Sequence, residues 1–134
     1  MRITGGRLRG RLIEPPAGFS ARPTTDFARE GLLNILDNRY DFSEISLLDL
    51  FGGTGAISYE FASRGTTDID IGEIDRRQCE FLRHNLQSLE LSKVKVLRPD
   101  VRDGLKICRQ QYDTGRAGQP HALRWLSVSC AVVM

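Results

Sequence analysis

Cysteine, histidine and lysine are scarce in this chain of 134 residues. Its three cysteines, Cys79, Cys108 and Cys130, form an odd set without metal-ligand spacing. That argues against a disulfide framework and reads as reduced, packing cysteines in a cytosolic, cytoplasmic protein. The two histidines, His84 and His121, are too few and too scattered for a zinc site, and no metal is expected. No apolar run approaches the roughly 18 residues that span a membrane. The opening MRITGGRLRG holds no apolar h-region, which argues against a secretory signal. Net charge is only +2, so the overall balance does not demand a polyanionic partner. Internal repeats and low-complexity segments are absent.

Arginine, by contrast, outnumbers lysine sixteen to three. Arg2, Arg7, Arg9 and Arg11 fall in the first twelve residues with no acid among them. The guanidinium fork suits phosphate, and a solvated basic arm or a charge-protected edge strand is the plain competitor. Residues 1–13 read as a short hairpin, and EPPAGFSARP as a loop. Thr24, Thr25 and Asp26 then cap a helix whose buried face is expected to use Phe27, Leu32, Leu33, Ile35 and Leu36, with a stop at Asp37–Asn38.

From Ile45 onward, strand and helix patterns alternate. Strands are expected at Ile45–Phe51, Asp68–Ile74 and Val94–Leu97. Helices are expected at 55–64, from Asp75 with Cys79, Leu82, Leu86 and Leu89 on one face, and over Val101–Gln110. This alternation predicts a parallel sheet covered by helices on both faces. The pattern fails after Asp113. TGRAGQPHALR carries no strand signal where a fourth strand is due, and WLSVSCAVVM could form one. Three clear strands are fewer than a doubly wound sheet needs.

The stretch LLDLFGGTGA carries the chemistry. Ligands of parallel α/β sheets bind beyond the strand C-termini. Glycines there permit positive φ and close approach, and the following helix offers unpaired N–H groups. Glu73 lies twenty residues beyond Gly53, where a carboxylate can accept both ribose hydroxyls. Asp100, after strand 3, can accept from an adenine amine or cap the next helix. These positions fit an adenosine-containing cofactor. The match to G-x-G-x-x-G is weak, and a pyrophosphate beside Asp49 would meet like charge. S-adenosylmethionine instead presents an ammonium to Asp49 and a carboxylate to the loop amides.

DLFGGTGA resembles motif I of class I methyltransferases. RITGGRLRGRLIEPPAG, RPTTDFAREGLLNIL, IGEIDRRQCEFLRHNL and VKVLRPDVRDGL resemble the RsmD family of bacterial 16S ribosomal RNA guanine-N2 methyltransferases. The resemblance covers Arg2 to about Asp113. It implies an incomplete Rossmann-like class I methyltransferase fold with an N-terminal β-hairpin and helix extension. Residues 1–44 would form that RNA-gripping extension, 45–113 the cofactor-binding core, and 114–134 a tail that does not match. The resemblance implies S-adenosylmethionine binding by Asp49, Phe51, Gly52, Gly53, Thr54, Gly55, Ala56, Glu73, Ile74, Asp100 and Val101. It places Arg2, Arg7, Arg9, Arg11, Arg22, Thr24, Thr25 and Asp26 towards RNA, either free 16S rRNA or a small-subunit particle.

The family's (Asn/Asp)-Pro-Pro-(Tyr/Phe) motif at the end of strand 4 is missing. Its slot falls on Gly118, Gln119, Pro120 and His121. A frameshift or premature end, a divergent catalyst, and a cofactor- or RNA-binding remnant without turnover are the open readings. A nicotinamide-dependent oxidoreductase is the remaining alternative. A sheet this short leaves an apolar edge open to self-association.

Overall fold

The computed structural model of this protein describes residues 1–19, 24–49, 52–98 and 125–127. Helix α1 (Asp26–Asp37) precedes a 3₁₀ turn (Phe42–Glu44). Strand β1 (Ser46–Asp49), helix α2 (Ala56–Arg64), strand β2 (Asp68–Gly72), helix α3 (Arg76–Ser88) and strand β3 (Val94–Leu97) follow in alternation. A short strand β4 (Trp125–Ser127) completes the set. The sheet order is β3-β2-β1-β4, and every pairing is parallel.

β4 joins the three clear strands and falls in WLSVSCAVVM, the stretch that could form one. It pairs with β1 in the register Ser46↔Trp125, Leu47↔Leu126 and Leu48↔Ser127. The strand lies at the start of WLSVSCAVVM, not directly after Asp113. A chain emerging from β3 needs a long crossover before it can return parallel to β1. The expected helix over Val101–Gln110 lies outside the described residues.

The periodicities explain the rest. Leu47, Ile69 and Ile71 are fully buried and share one core with Tyr59 and Phe61 of α2 and Leu82 and Leu86 of α3. Two of the helix starts have a side-chain cap. Thr25 accepts from the Ala28 amide at 3.2 Å, and Asp75 accepts from the Gln78 amide at 3.1 Å. Gly65, with φ 121°, ends α2. Asp41 caps the 3₁₀ turn by accepting from Ser43 N at 2.9 Å. Among the described residues no helix is long and apolar enough to cross a membrane.

Two expectations for the N-terminal part need correction. The hairpin has a single antiparallel bridge, Arg2↔Leu12, with a coiled tip between its arms. Its glycines bend the chain before a ladder can extend. On α1, Phe27 (88% exposed) and Ile35 (56%) face solvent, while Arg29 and Leu33 are buried. Arg29 takes an inward position because a buried carboxylate awaits it.

Candidate cofactor and RNA site

The site is built where β1 and β2 end. Asp49, the last residue of β1, is buried, and its Oδ2 accepts from Ser58 Oγ at 2.9 Å. Ser58 lies in the first turn of α2, so the helix that follows the glycine turn orients the acid that precedes it. The sequence reading missed Ser58. A small hydroxyl on an otherwise buried helix face was the available signal.

The turn itself is cross-braced. The Gly52 amide donates to Gly72 O at 3.0 Å, and the Gly55 amide to Gly52 O at 2.6 Å. Gly55 adopts φ 81° and stands at the N-cap of α2 without a side-chain cap. The first amides of α2 are therefore available to an anionic ligand group. A Cβ on Gly55 would lie 2.6 Å from Leu82 Cδ2 and 2.7 Å from Tyr59 Cζ, and one on Gly52 would strike Ile71. Gly55 is required by both conformation and close packing, and Gly52 by close packing. Burial also raises the Tyr59 hydroxyl far above its ordinary range.

Glu73 lies just beyond β2. Its Oε2 accepts from the Gly53 amide and its Oε1 from the Asp75 amide, both at 2.9 Å. The two strand ends are thus joined through one carboxylate. Each carboxylate oxygen has a second lone pair free to accept a hydroxyl. Ile74, beside it, is an apolar side chain left 52% exposed. Beneath, the Cys79 thiol lies 3.2 Å from Glu73 O, and burial pushes the thiol pKa up.

The structure brings Asp49, Gly52, Gly53, Gly55, Ala56, Glu73 and Ile74 to one end of the sheet. Thr54 is buried there, with Oγ1 3.9 Å from Met1 Sδ. Phe51, Asp100, Val101, Arg22 and Gly118–His121 lie outside the described residues. Gly118–His121 also precede β4 in the chain, whereas the family motif follows its strand.

Thr24, Thr25 and Asp26 gather instead around Arg29, a residue the sequence reading passed over. Arg29 is 1% exposed. Its guanidinium donates to Glu60 Oε1 at 3.1 Å, Asp26 Oδ1 at 2.8 Å, Thr24 O at 3.3 Å, and Arg2 O. Glu60, fully buried in α2, also accepts from Thr4 N at 2.7 Å and Thr4 Oγ1 at 2.8 Å. Three segments thus meet on one buried ion pair.

The four N-terminal arginines do not form one cluster. Arg2 pairs with Leu12, and its amide lies 3.5 Å from Asp26 Oδ1. Arg7 sits towards the other end of α2, its amide donating to Ser63 O at 2.8 Å. Arg9 and Arg11 are exposed along the hairpin.

Residues 1–114 match the family described as Conserved hypothetical protein 95. The Bacillus subtilis protein YlbH is 34% identical over 88% of this chain and 63% of its own length. Ribosomal RNA small subunit methyltransferase D of Escherichia coli K12 is 36% identical over 75% of this chain and 50% of its own length. Among solved structures, a hypothetical protein of Thermus thermophilus superposes with TM-score 0.71 and 31% identity, covering 84% of this chain and 63% of that one. Escherichia coli yhhF superposes with TM-score 0.67 and 31% identity, covering 78% and 55%. The chain therefore spans between half and about two-thirds of the length of these relatives.

Proposed function

Because this chain belongs to the RsmD methyltransferase family, we propose that it binds S-adenosylmethionine and serves methyl transfer to the exocyclic N2 of a guanine in 16S ribosomal RNA. The carrying observation is the strand-end arrangement: a buried Asp49, an uncapped helix start at Gly55, and Glu73 hydrogen-bonded to Gly53. That donor set fits a zwitterionic amino-acid end joined to a ribose. Asp49 would hold the ammonium, and the amides of the turn the carboxylate. Glu73 would accept the ribose hydroxyls, and Ile74 would pack on the adenine. A pyrophosphate in the same place would meet the Asp49 carboxylate without a compensating cation from the turn. That counts against a nicotinamide cofactor.

The bound cofactor supplies a methyl group on a positively charged sulfur leaving group. The chain's part is alignment, which can contribute about 7–11 kcal/mol in well-ordered intramolecular systems. A paired guanine is out of reach, so the target base must be unpaired or flipped. Arg2, Arg9 and Arg11 on the hairpin, with Thr24–Asp26 held by Arg29, would position the RNA beside the cofactor.

A second reading has its own support. β4 runs parallel to β1, so its C-terminal end lies on the cofactor side. Neither Gly118–His121 nor the residues after Ser127 (Val128–Ser129–Cys130–Ala131) carry the proline-proline-aromatic motif of the family. A binding module without turnover fits that sequence. Calorimetric titration with S-adenosylmethionine, followed by tritiated-methyl transfer to unmethylated 30S particles, separates the two. Binding with transfer supports the enzyme, and binding without transfer the module. Preferential binding of NAD would remove both.

A further inference from the structure

We propose that the cleft between Arg7 and Lys93 is a second RNA-binding site, which takes a backbone phosphate at the end of the sheet opposite the cofactor turn. The proposal rests on the reading of RNA as the substrate.

The hairpin runs along α2. At one end Met1 Sδ lies 3.9 Å from Thr54 Oγ1, beside the cofactor turn. At the other, Ser63 clamps the hairpin tip: its carbonyl accepts from the Arg7 amide at 2.8 Å, and its hydroxyl donates to Gly5 O at 2.6 Å and accepts from the Leu8 amide at 2.8 Å. Gly6 adopts φ 73°, and a Cβ there would collide with the Ser63 carbonyl. The nine residues of α2 place the two ends about 14 Å apart. The Arg7 backbone is thus anchored well away from Arg2, with its side chain exposed.

A cleft of about 320 Å³ opens beside this tip, lined by Arg7, Thr67, Glu90, Ser92 and Lys93 among others. Thr67 immediately precedes β2, and Lys93 immediately precedes β3. Asp49 and Glu73 lie at the opposite strand ends. The guanidinium of Arg7, the ammonium of Lys93 and the hydroxyls of Thr67 and Ser92 are all hydrogen-bond donors and can converge on one phosphodiester. Arg7 and Lys93 form no ion pair among the described residues, although Glu90 shares the cleft. Arg9 and Arg11 are exposed on the same hairpin and continue the positive charge towards the cofactor end. A polyanionic strand meets this continuity; a small free anion has no use for it.

Glu90 gives the sharpest test. It opposes an anion in the cleft and carries φ 56°, a conformation that asparagine tolerates better than glutamate. The experiment is fluorescence anisotropy with labelled single-stranded fragments of small-subunit ribosomal RNA, repeated over a salt series. Arg7→Glu and Lys93→Glu should each weaken binding about tenfold and lower the salt slope by about one. Glu90→Asn should tighten binding several-fold, a gain that misfolding cannot produce. Calorimetric affinity for S-adenosylmethionine should stay unchanged in all three.

If Arg2→Glu weakens RNA binding while the three cleft variants leave affinity and slope unchanged, the cleft proposal falls and the RNA reading stands. If the unaltered protein binds no RNA, both fall. Saturation of the cleft by inorganic phosphate alone, with RNA affinity indifferent to Arg7→Glu, would assign it to a free anion. Loss of self-association in Arg7→Glu with RNA binding intact would assign it to a second copy of the chain. Either result overturns the proposal.

Discussion

Glu73 and Gly53, twenty residues apart, are joined by a 2.9 Å hydrogen bond from the Gly53 amide to the Glu73 carboxylate. The same carboxylate holds the Asp75 amide at 2.9 Å, so it fixes the glycine turn and the entry to α3 together. Glu73→Gln keeps one carbonyl oxygen and must give up one of these acceptor positions. It should weaken S-adenosylmethionine binding about tenfold and speed hydrogen exchange at Gly53 or Asp75. Unchanged exchange at both amides, measured by NMR, would remove the bracing role.

Ser58 donates a hydrogen bond to the Asp49 carboxylate. Asp49→Ala should lower cofactor affinity at least tenfold in calorimetry, through loss of the ammonium partner. Ser58→Ala should cost less, because the carboxylate remains and only its orientation loosens; a net hydrogen bond is worth about 0.5–1.5 kcal/mol. Equal affinities in both variants and the parent would take Asp49 out of the site.

Gly55 combines φ 81° with contact to Tyr59 and Leu82. Gly55→Ala carries a left-handed backbone cost of about 1–2 kcal/mol, and the clash adds to it. A lower melting temperature together with lost cofactor binding is expected. A substitution tolerated in both measurements would mean that the turn has another conformation in solution.

The Arg29–Glu60 ion pair is buried on both sides. Arg29→Met leaves the fully buried Glu60 without its principal cation and should destabilise by about 3–5 kcal/mol. The double variant Arg29→Met/Glu60→Leu should recover part of that loss, since no charge is then stranded. Urea denaturation of the two variants checks the ordering.

Two acids should give opposite pH signatures. Asp26 is held below its usual 3.8 chiefly by its hydrogen bond from Arg29. Its contribution is complete above 3.8 and is lost as pH falls through the folded-state value. Burial pushes Asp70 above 3.8, with the neighbouring Lys95 opposing the shift. The folded state then holds this proton more tightly, so stability declines as pH rises from 3.8 through the folded-state value. Asp26→Asn should therefore lower the melting temperature at neutral pH and match the parent in strong acid. Asp70→Asn should raise it at neutral pH, with the gain closing as the buffer is acidified.

The turn after β1, Glu73 and the inward face of α3 were legible because each is a local pattern: an apolar run into glycines, an acid at a strand end, leucines at helical spacing. Arg29 was not, since counting apolar residues cannot reveal an inward charge whose partner is thirty-one positions away. The same count wrongly turned Phe27 and Ile35 inward. β4 escaped a firm assignment because no local feature of Trp125–Ser127 names β1 as its neighbour. The four arginines looked like one cluster only because sequence proximity conceals how far the hairpin carries them along α2.

The position of β1 between β2 and β4 also has a consequence during synthesis. β2 and β3 leave the ribosome soon after β1 and can dock at once, whereas the other flank of β1 waits for residues near the end of this sequence. Until they emerge, the nascent chain displays unsatisfied backbone groups along a strand that is interior in the finished sheet. An open edge of that kind can pair with another chain, so the delay is the interval in which aggregation competes with folding.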